Sequence, residues 1–422
     1  MSSEWHARNR ISTLHRPVSP PPARQPTTGS LSALEAGKES VNNHLATISA
    51  VLRRFTPSSD SDTTPGSRTL PVDAWEALYS RNAHAAGHHF VIHQHDHPVA
   101  GPHYDLRLQF SESSSLSWSV MYGLPGDANS RRLNRNATET RVHSLWNHLI
   151  ETASSRTGSM IIWDTGEYEV LPDKPRGKAS LDSGPETDTD TDESGESGAV
   201  RDSVGSGLTE SEKLRRAFQN HKIHLRLHGT RLPKNYTIFL HRDKSDVRSA
   251  PTPISLSLMS RKRKRRKPVA KSQPSSTSNS ESDTDIARSS SEQTSGSGKR
   301  RKGNDDDHSD AEGDNEVDYQ IRLNNAYPGA VNDIGSIHQR RWFIVLDRPG
   351  SGFVPEKDSA GKRRWVRAID KRSGMKKAFE PFYVRGPEVE RSVVTARLGS
   401  DVLKDEAVEG FIPRRGWNPV LV

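Results

Sequence analysis

Between His103 and Phe110 every second residue is apolar: Tyr104, Leu106, Leu108 and Phe110 alternate with His103, Asp105, Arg107 and Gln109. Side chains along a strand point to opposite faces in turn. This run is therefore a strand with one face committed to a core and the other to polar chemistry. The run before it, Phe90 to Asp96, reads as a second strand, with His93 and His95 on one face and Ile92 and Gln94 on the other. Pro98, Gly101 and Pro102 punctuate the connection, and the pair reads as a hairpin.

Only part of the chain can extend such a sheet. Apolar residues make up 31% of the 422, where a fully globular chain carries roughly 45–50% counting glycine. The deficit is concentrated in a few stretches. Residues 1–30 are polar and Pro-rich and are expected to be disordered. Residues 31–55 repeat Leu34, Val41, Leu45, Ile48, Leu52 and Phe55 at helical spacing, which predicts one amphipathic helix. A linker follows over 56–70. Residues 71–246 are expected to form the main domain, interrupted by an acidic Ser/Thr/Asp/Gly insert at 173–207 that cannot fold alone.

After the insert, Thr209 and Glu212 make a capping box, and Leu214 and Phe218 give a short stripe. Two further strands are expected around Ile223 to Leu227 and Tyr236 to Leu240. Residues 247–316 are a basic and acidic low-complexity linker. Residues 317–422, with Trp342 to Leu346, Trp365, Phe382 and Trp417, form a β-rich extension or a small domain.

Absence of cysteine leaves His, Asp and Glu as metal ligands. No apolar run of about 18 residues is present, so no membrane partner is expected. Pro17, Pro20, Pro21, Pro22 and Pro26 break the amphipathic helix that an organelle transit peptide needs. The formal net charge of +8 suits nucleic acid, whose affinity comes largely from phosphate neutralisation.

The hairpin can bring His95 close to His103 and Asp105. Two imidazoles and a carboxylate make an open site for Mn²⁺ or Zn²⁺. Since an imidazole must be neutral to ligate, affinity is expected to fall below roughly pH 6. Arg107, one strand period beyond Asp105, offers a planar fork for a phosphate. The opposing reading of the same residues is a solvated strand face. His88, His89 and His97 fit no strand-face argument and read as surface residues. Downstream, Val142, Leu145 and Leu149 have helical spacing, with His143 and Asn147 one turn apart. Met160 to Asp164 reads as a core strand ending at Gly166.

The order of these pieces resembles a known family, the 3′-phosphoesterase domain of bacterial DNA ligase D. His95 with His103-Tyr104-Asp105-Leu106-Arg107-Leu108 resembles its signature. Ser117-Trp118-Ser119-Val120 with Gly123, Ile162-Trp163-Asp164, and Leu225 to Leu232 resemble later strands, over roughly residues 88–172 and 208–242. The resemblance implies a mainly β fold: a small β-barrel with a few short helices and its site in an outer groove, interrupted here by disordered acidic and basic inserts. It implies Mn²⁺-dependent removal of a 3′-terminal ribonucleoside or 3′-phosphate in DNA repair, on DNA or RNA/DNA 3′ ends. By position, His95, His103 and Asp105 match the metal ligands. Arg107 and His143 match the phosphate-contacting, catalytic pair.

The chain departs from that family at four places. It has His93 for Gln, Tyr122 for Lys and Asn147 for Tyr, and Glu151 to Thr157 replaces an acidic, Gly-rich stretch. These changes fall on the phosphate side more than on the metal side: Tyr122 removes a positive charge and Asn147 is shorter than tyrosine, so weak turnover is expected unless His93 or a basic residue from an extension compensates. The alternatives are a catalytically weakened DNA-end-binding or scaffolding module, and a nuclear interaction protein whose strand face is merely solvated. Nuclear localisation is expected from Arg261, Lys262, Arg263, Lys264, Arg265, Arg266 and Lys267, which an import receptor can read; the same run could instead tether the chain to DNA. Repair proteins are the other partners expected through the tails.

Overall fold

The computed structural model describes residues 31–56, 68–172, 207–243, 325–359, 361–414 and 417–421. Residues 1–30, nearly all of the 56–70 linker, the acidic insert as far as 206, the 247–316 linker and the basic run Arg261 to Lys267 lie outside the described residues.

Eight antiparallel strands close into a barrel. In chain order these are β1 (His89–His97), β2 (Gly101–Gln109), β3 (Ser114–Val120) and β4 (Asn134–Glu139), then two short strands β5 (His143–Ser144) and β6 (Thr152–Ser154). Next come β7 (Gly158–Val170), β8 (Lys222–Gly229), β9 (Thr237–Arg242) and β10 (Arg341–Leu346). Around the barrel the order is β1, β2, β3, β4, β10, β9, β8, β7, and β7 pairs back onto β1. β5 adds to β3 and β6 to β7. β11 (Phe353–Lys357) and β12 (Arg363–Arg367) form a separate hairpin.

The alternation read on β2 becomes the barrel's inner lining. Tyr104, Leu106, Leu108 and Phe110 join Phe90, Ile92, Leu116 and Trp118 in one apolar cluster. Helix α4 (Glu210–Gln219, after α1 to α3 named below) contributes Leu214 and Phe218 to it, and Phe218 stacks on Trp342 of β10. The expected capping box opens α4: Thr209 accepts from the Glu212 N–H, and Glu212 accepts from the Thr209 N–H. Among the described residues no helix is long and apolar enough to cross a membrane.

The outer face of β1 and β7 is not solvated. Val91, Met160 and Ile162 pack under Leu31, Leu34, Ile48, Leu52, Val72 and Trp75. These belong to α1 (Leu31–Glu35), α2 (His44–Leu52) and α3 (Val72–Ser80). The single helix expected over 31–55 is thus two. Gly37, at φ 66, leaves the helical region, and Asn43 caps a fresh start at α2 by accepting from the Ala46 N–H. Two other expectations change. The run Met160 to Asp164 does not end at Gly166 but continues to Val170, because Gly166 lies opposite Gly229 and the two backbones approach too closely for a Cβ. The helical spacing after Val142 gives β5 and a short 3-10 turn (Leu145–His148), not an α-helix. A last helix, α5 (Gly399–Asp405), packs near β6 and β7.

Candidate metal and phosphate site

The hairpin register sets the site. His95 lies directly across from His103, and His93 across from Asp105. Gly101, at φ 81, closes the turn. His97 closes it too: its Nδ1 accepts the N–H groups of Val99 and Ala100 at 3.1 and 3.0 Å. His97 is buried, as is His89, so the surface reading of both is corrected. His88 is half-exposed.

His95, His103 and Asp105 each offer one ligand atom, all within 4.8 Å of one another. Both imidazoles are oriented from behind. His95 Nε2–H donates to the Thr157 carbonyl at 2.7 Å, and His103 Nδ1–H donates to the Gly101 carbonyl at 2.7 Å. A carbonyl only accepts, so the proton on each ring is fixed. The other nitrogens, His95 Nδ1 and His103 Nε2, stand 3.7 and 3.5 Å from the Asp105 carboxylate. Backbone acceptors of this kind fix the tautomer of metal-binding histidines, and two imidazole nitrogens with one carboxylate suit a divalent transition ion.

Charge runs the same way. Burial pushes the Asp105 carboxyl up, but facing His103, His95 and Arg107 outweigh burial and hold it well below the usual carboxylate range. Burial lowers the His103 imidazole to about 4, so it is neutral near pH 7. Burial also works against charge on His95, yet adjacent Asp105 wins and raises it above 6.5.

The phosphate side is built differently. Arg107 is 3% exposed. Its Nη2 donates to Asp105 and its Nη1 to the Asn147 carbonyl, both at 3.3 Å, while Nε has no partner. His143 and Asn147 are each 8% exposed. His143 lies opposite Ser115 in the β3–β5 pairing, and its Nδ1 has no partner. His93 is fully buried with neither ring nitrogen bonded, and Ser115 and Ser117 leave their hydroxyls unbonded. Burial, reinforced by the Arg107 charge, lowers His93 and His143 well below 6.5. Tyr122, by contrast, is 41% exposed, with the Arg132 guanidinium 5.7 Å from its ring centre. The structure thus gathers Arg107, His143, Asn147 and His93, all buried, beside the ligand set, while Tyr122 is exposed.

Sequence reasoning missed His148. Thr165 donates its hydroxyl proton to the Phe90 carbonyl, so its oxygen accepts from His89 Nε2–H at 3.2 Å. His89 Nδ1 must then accept from His148 Nδ1–H at 2.7 Å. His148 Nε2 is left as a buried lone pair without a partner. Also missed was Glu151, fully buried, which accepts from Thr395 at 2.7 Å and Arg397 at 2.9 Å. No spacing signal links residues so far apart. The Ile162-Trp163-Asp164 and Leu225 to Leu232 segments prove to be one clamp. Asp164 accepts the N–H groups of Thr165, Thr230, Arg231 and Leu232 at 2.8–2.9 Å, fastening the end of β8 to β7.

This order of strands, hairpin ligands and Asp164 clamp can be compared with known families. Residues 93–240 match the DNA ligase D 3′-phosphoesterase domain. The match to this phosphoesterase family takes in the ligand set, the phosphate-side residues and the clamp, and stops short of β10 and the C-terminal residues. A His/Asp cluster able to hold a metal ion lies within the matched residues, and the matched family is metal-dependent in general. No curated protein matches the chain.

Proposed function

We propose that the chain is a divalent-metal-dependent phosphoesterase, with Mn²⁺ as its ion, that removes 3′-phosphate or 3′-terminal ribonucleoside from nucleic-acid ends in DNA repair. The observation that carries this reading is the ligand set inside the matched domain: two histidines turned by backbone carbonyls toward one ionised aspartate.

His95 Nδ1, His103 Nε2 and an Asp105 oxygen would hold the ion. When bound, such an ion polarises a phosphoryl oxygen and lowers the pKa of a coordinated water. Arg107, held by Asp105 and the Asn147 carbonyl, spreads positive charge toward the phosphoryl oxygens as negative charge builds on them. His143 is neutral at pH 7, so it begins as a proton acceptor rather than a donor. In the net reaction water adds to phosphorus in one of two ways. At a ribonucleotide end the bond to the nucleoside's 5′ oxygen breaks, releasing the ribonucleoside and leaving a 3′-phosphate. At a 3′-phosphate the bond to the 3′ oxygen breaks, releasing phosphate and leaving a 3′-hydroxyl. In each case the departing oxygen takes a proton.

The test is incubation of purified protein with labelled primer–templates ending in 3′-phosphate or a 3′-ribonucleotide, with and without Mn²⁺. Mn²⁺-dependent appearance of 3′-hydroxyl ends supports the reading. A second reading, a weakened end-binding or scaffolding module, draws support from the near-complete burial of Arg107, His143 and Asn147. Binding of 3′-phosphorylated ends with no turnover would favour it.

Nuclear import through Arg261 to Lys267 is part of the proposal and rests on composition alone. Alanine replacement of the run, followed by imaging of a tagged protein, should abolish nuclear accumulation; unchanged accumulation removes the run as a necessary signal.

A further inference from the structure

The barrel carries a cavity of about 710 Å³ whose lining residues are remote in sequence from the hairpin ligands. The turn between β8 and β9 forms one wall and the 376–383 segment the other. Asn235, at φ 63, shapes that turn, and its side chain donates to the Lys377 carbonyl at 3.5 Å. The floor is Trp163, with the Arg231 guanidinium 4.9 Å from its ring centre.

Charge in this cavity is unbalanced. Its two carboxylates are already engaged: Glu390 with Arg231 and the Trp163 N–H, and Glu380 with Arg367. Its other cations, Arg68, Lys234, Lys376 and Lys377, have no acidic oxygen within ion-pair distance among the described residues. Lys234, Lys376 and Lys377 are exposed, while Phe382 and Tyr383, on the same lining, are half-buried.

Cations without an ion pair call for an anion (Lys377 also feels a nearby carboxylate, Asp370), and the aromatic wall calls for a planar apolar group on it. A phosphate alone would use the first and not the second. A single nucleic-acid strand supplies both, since strand-binding grooves combine cations along the backbone with aromatic side chains for the bases. The volume falls in the range of about 300–1,000 Å³ usual for small-ligand sites, enough for a nucleotide unit of a longer strand.

We propose that this cavity binds single-stranded nucleic acid, with Lys234, Lys376 and Lys377 on the phosphates and Phe382 and Tyr383 against a base. The choice of ligand rests on the phosphoesterase reading above. The site does not, because most of its basic wall lies outside the residues that match the family.

The test uses the full chain in EDTA, where turnover plays no part. Arg261 to Lys267 are replaced by alanine in every protein compared, so that this run cannot mask the effect. Fluorescence anisotropy with a labelled oligothymidylate then compares this background with Lys234→Ala/Lys376→Ala/Lys377→Ala. Affinity at low salt should drop at least about tenfold, and the slope of log affinity against log salt should be shallower by about 2, at ~0.7 per phosphate contact. An unchanged melting temperature shows that the variant is folded, and 5-iododeoxyuridine cross-links should map to peptides containing 231–235 or 376–383. Affinity and slope equal to the background, cross-links confined elsewhere, or a mononucleotide binding as tightly as the oligomer would each overturn the proposal. Failure to cleave blocked 3′ ends, with this binding intact, would remove the catalytic reading alone.

Discussion

The two ends of one strand face solve their polar atoms in opposite ways. At the hairpin end, each imidazole has one nitrogen satisfied by a backbone carbonyl and the other turned to Asp105. At the other end, His93, His143 Nδ1, Arg107 Nε and two serine hydroxyls are buried without protein partners. Buried polar groups are nearly always bonded in folded proteins, and an unmade bond costs about 1–3 kcal/mol. The end proposed to hold the metal is preorganised by the chain itself. The end proposed to meet the phosphate holds donors and acceptors that the chain does not satisfy, the arrangement expected where a substrate completes the network.

The largest effect expected from breaking this contrast is at Asp105. Asp105→Asn should leave no measurable Mn²⁺ binding by calorimetry, and turnover should vanish with it. Retained affinity would show that the ligands were assigned wrongly. Arg107→Ala should act mainly on the other end, lowering kcat by about 10²–10³, the usual cost of one preorganised donor, and should reduce Mn²⁺ affinity far less, although Arg107 also bonds Asp105. A parallel loss of affinity would mean that the two ends are one unit.

A smaller effect, of opposite sign, is expected from the double change Tyr122→Lys and Asn147→Tyr. Turnover should rise, with metal affinity unchanged. Since Arg132 already places a guanidinium over Tyr122, most of the gain should come from position 147. The single variants decide this, and a gain confined to Tyr122→Lys would contradict it.

The smallest effect concerns His89 and His148. Burial lowers His89 to about 3 and His148 well below 6.5. The unfolded chain therefore binds these protons first as the pH falls below about 6.5, and stability must decline from there downward, by at most ~1.4 kcal/mol per pH unit for each histidine. His148→Leu should flatten the decline in melting temperature between pH 6.5 and 5. An identical slope would show that the pair does not set acid sensitivity. Mn²⁺ affinity has its own pH dependence. Because His95 is raised above 6.5, the loss should begin at a higher pH than the roughly 6 expected from an unperturbed imidazole.

What could be read from the sequence was local. The alternation from Tyr104 to Phe110 carries the inner face of β2, and the punctuated turn carries the pairing of His95 with His103, because both follow from neighbours a few residues apart. The capping box at Thr209 is legible for the same reason. The helix read across Gly37 failed because apolar spacing continues through a residue whose backbone does not. His97 was misread because its partners are the N–H groups of its own turn, which leave no mark in side-chain pattern. Nor does any local signal tie Glu151 to Arg397, or show that helices α1 to α3 cover the outer face of β1.

The family match ends at residue 240, yet the sheet is not closed there. β10 lies between β4 and β9, pairing Trp342 with Ala137 on one side and with Arg242 on the other. A fragment stopped after β9 would present two open strand edges, the form of surface that recruits other chains. The same feature makes the protein divisible. A cut between 243 and 325 severs the backbone without removing any of the described strands, so the two pieces should find each other as a split pair, with the short C-terminal piece restoring the ring to the long one.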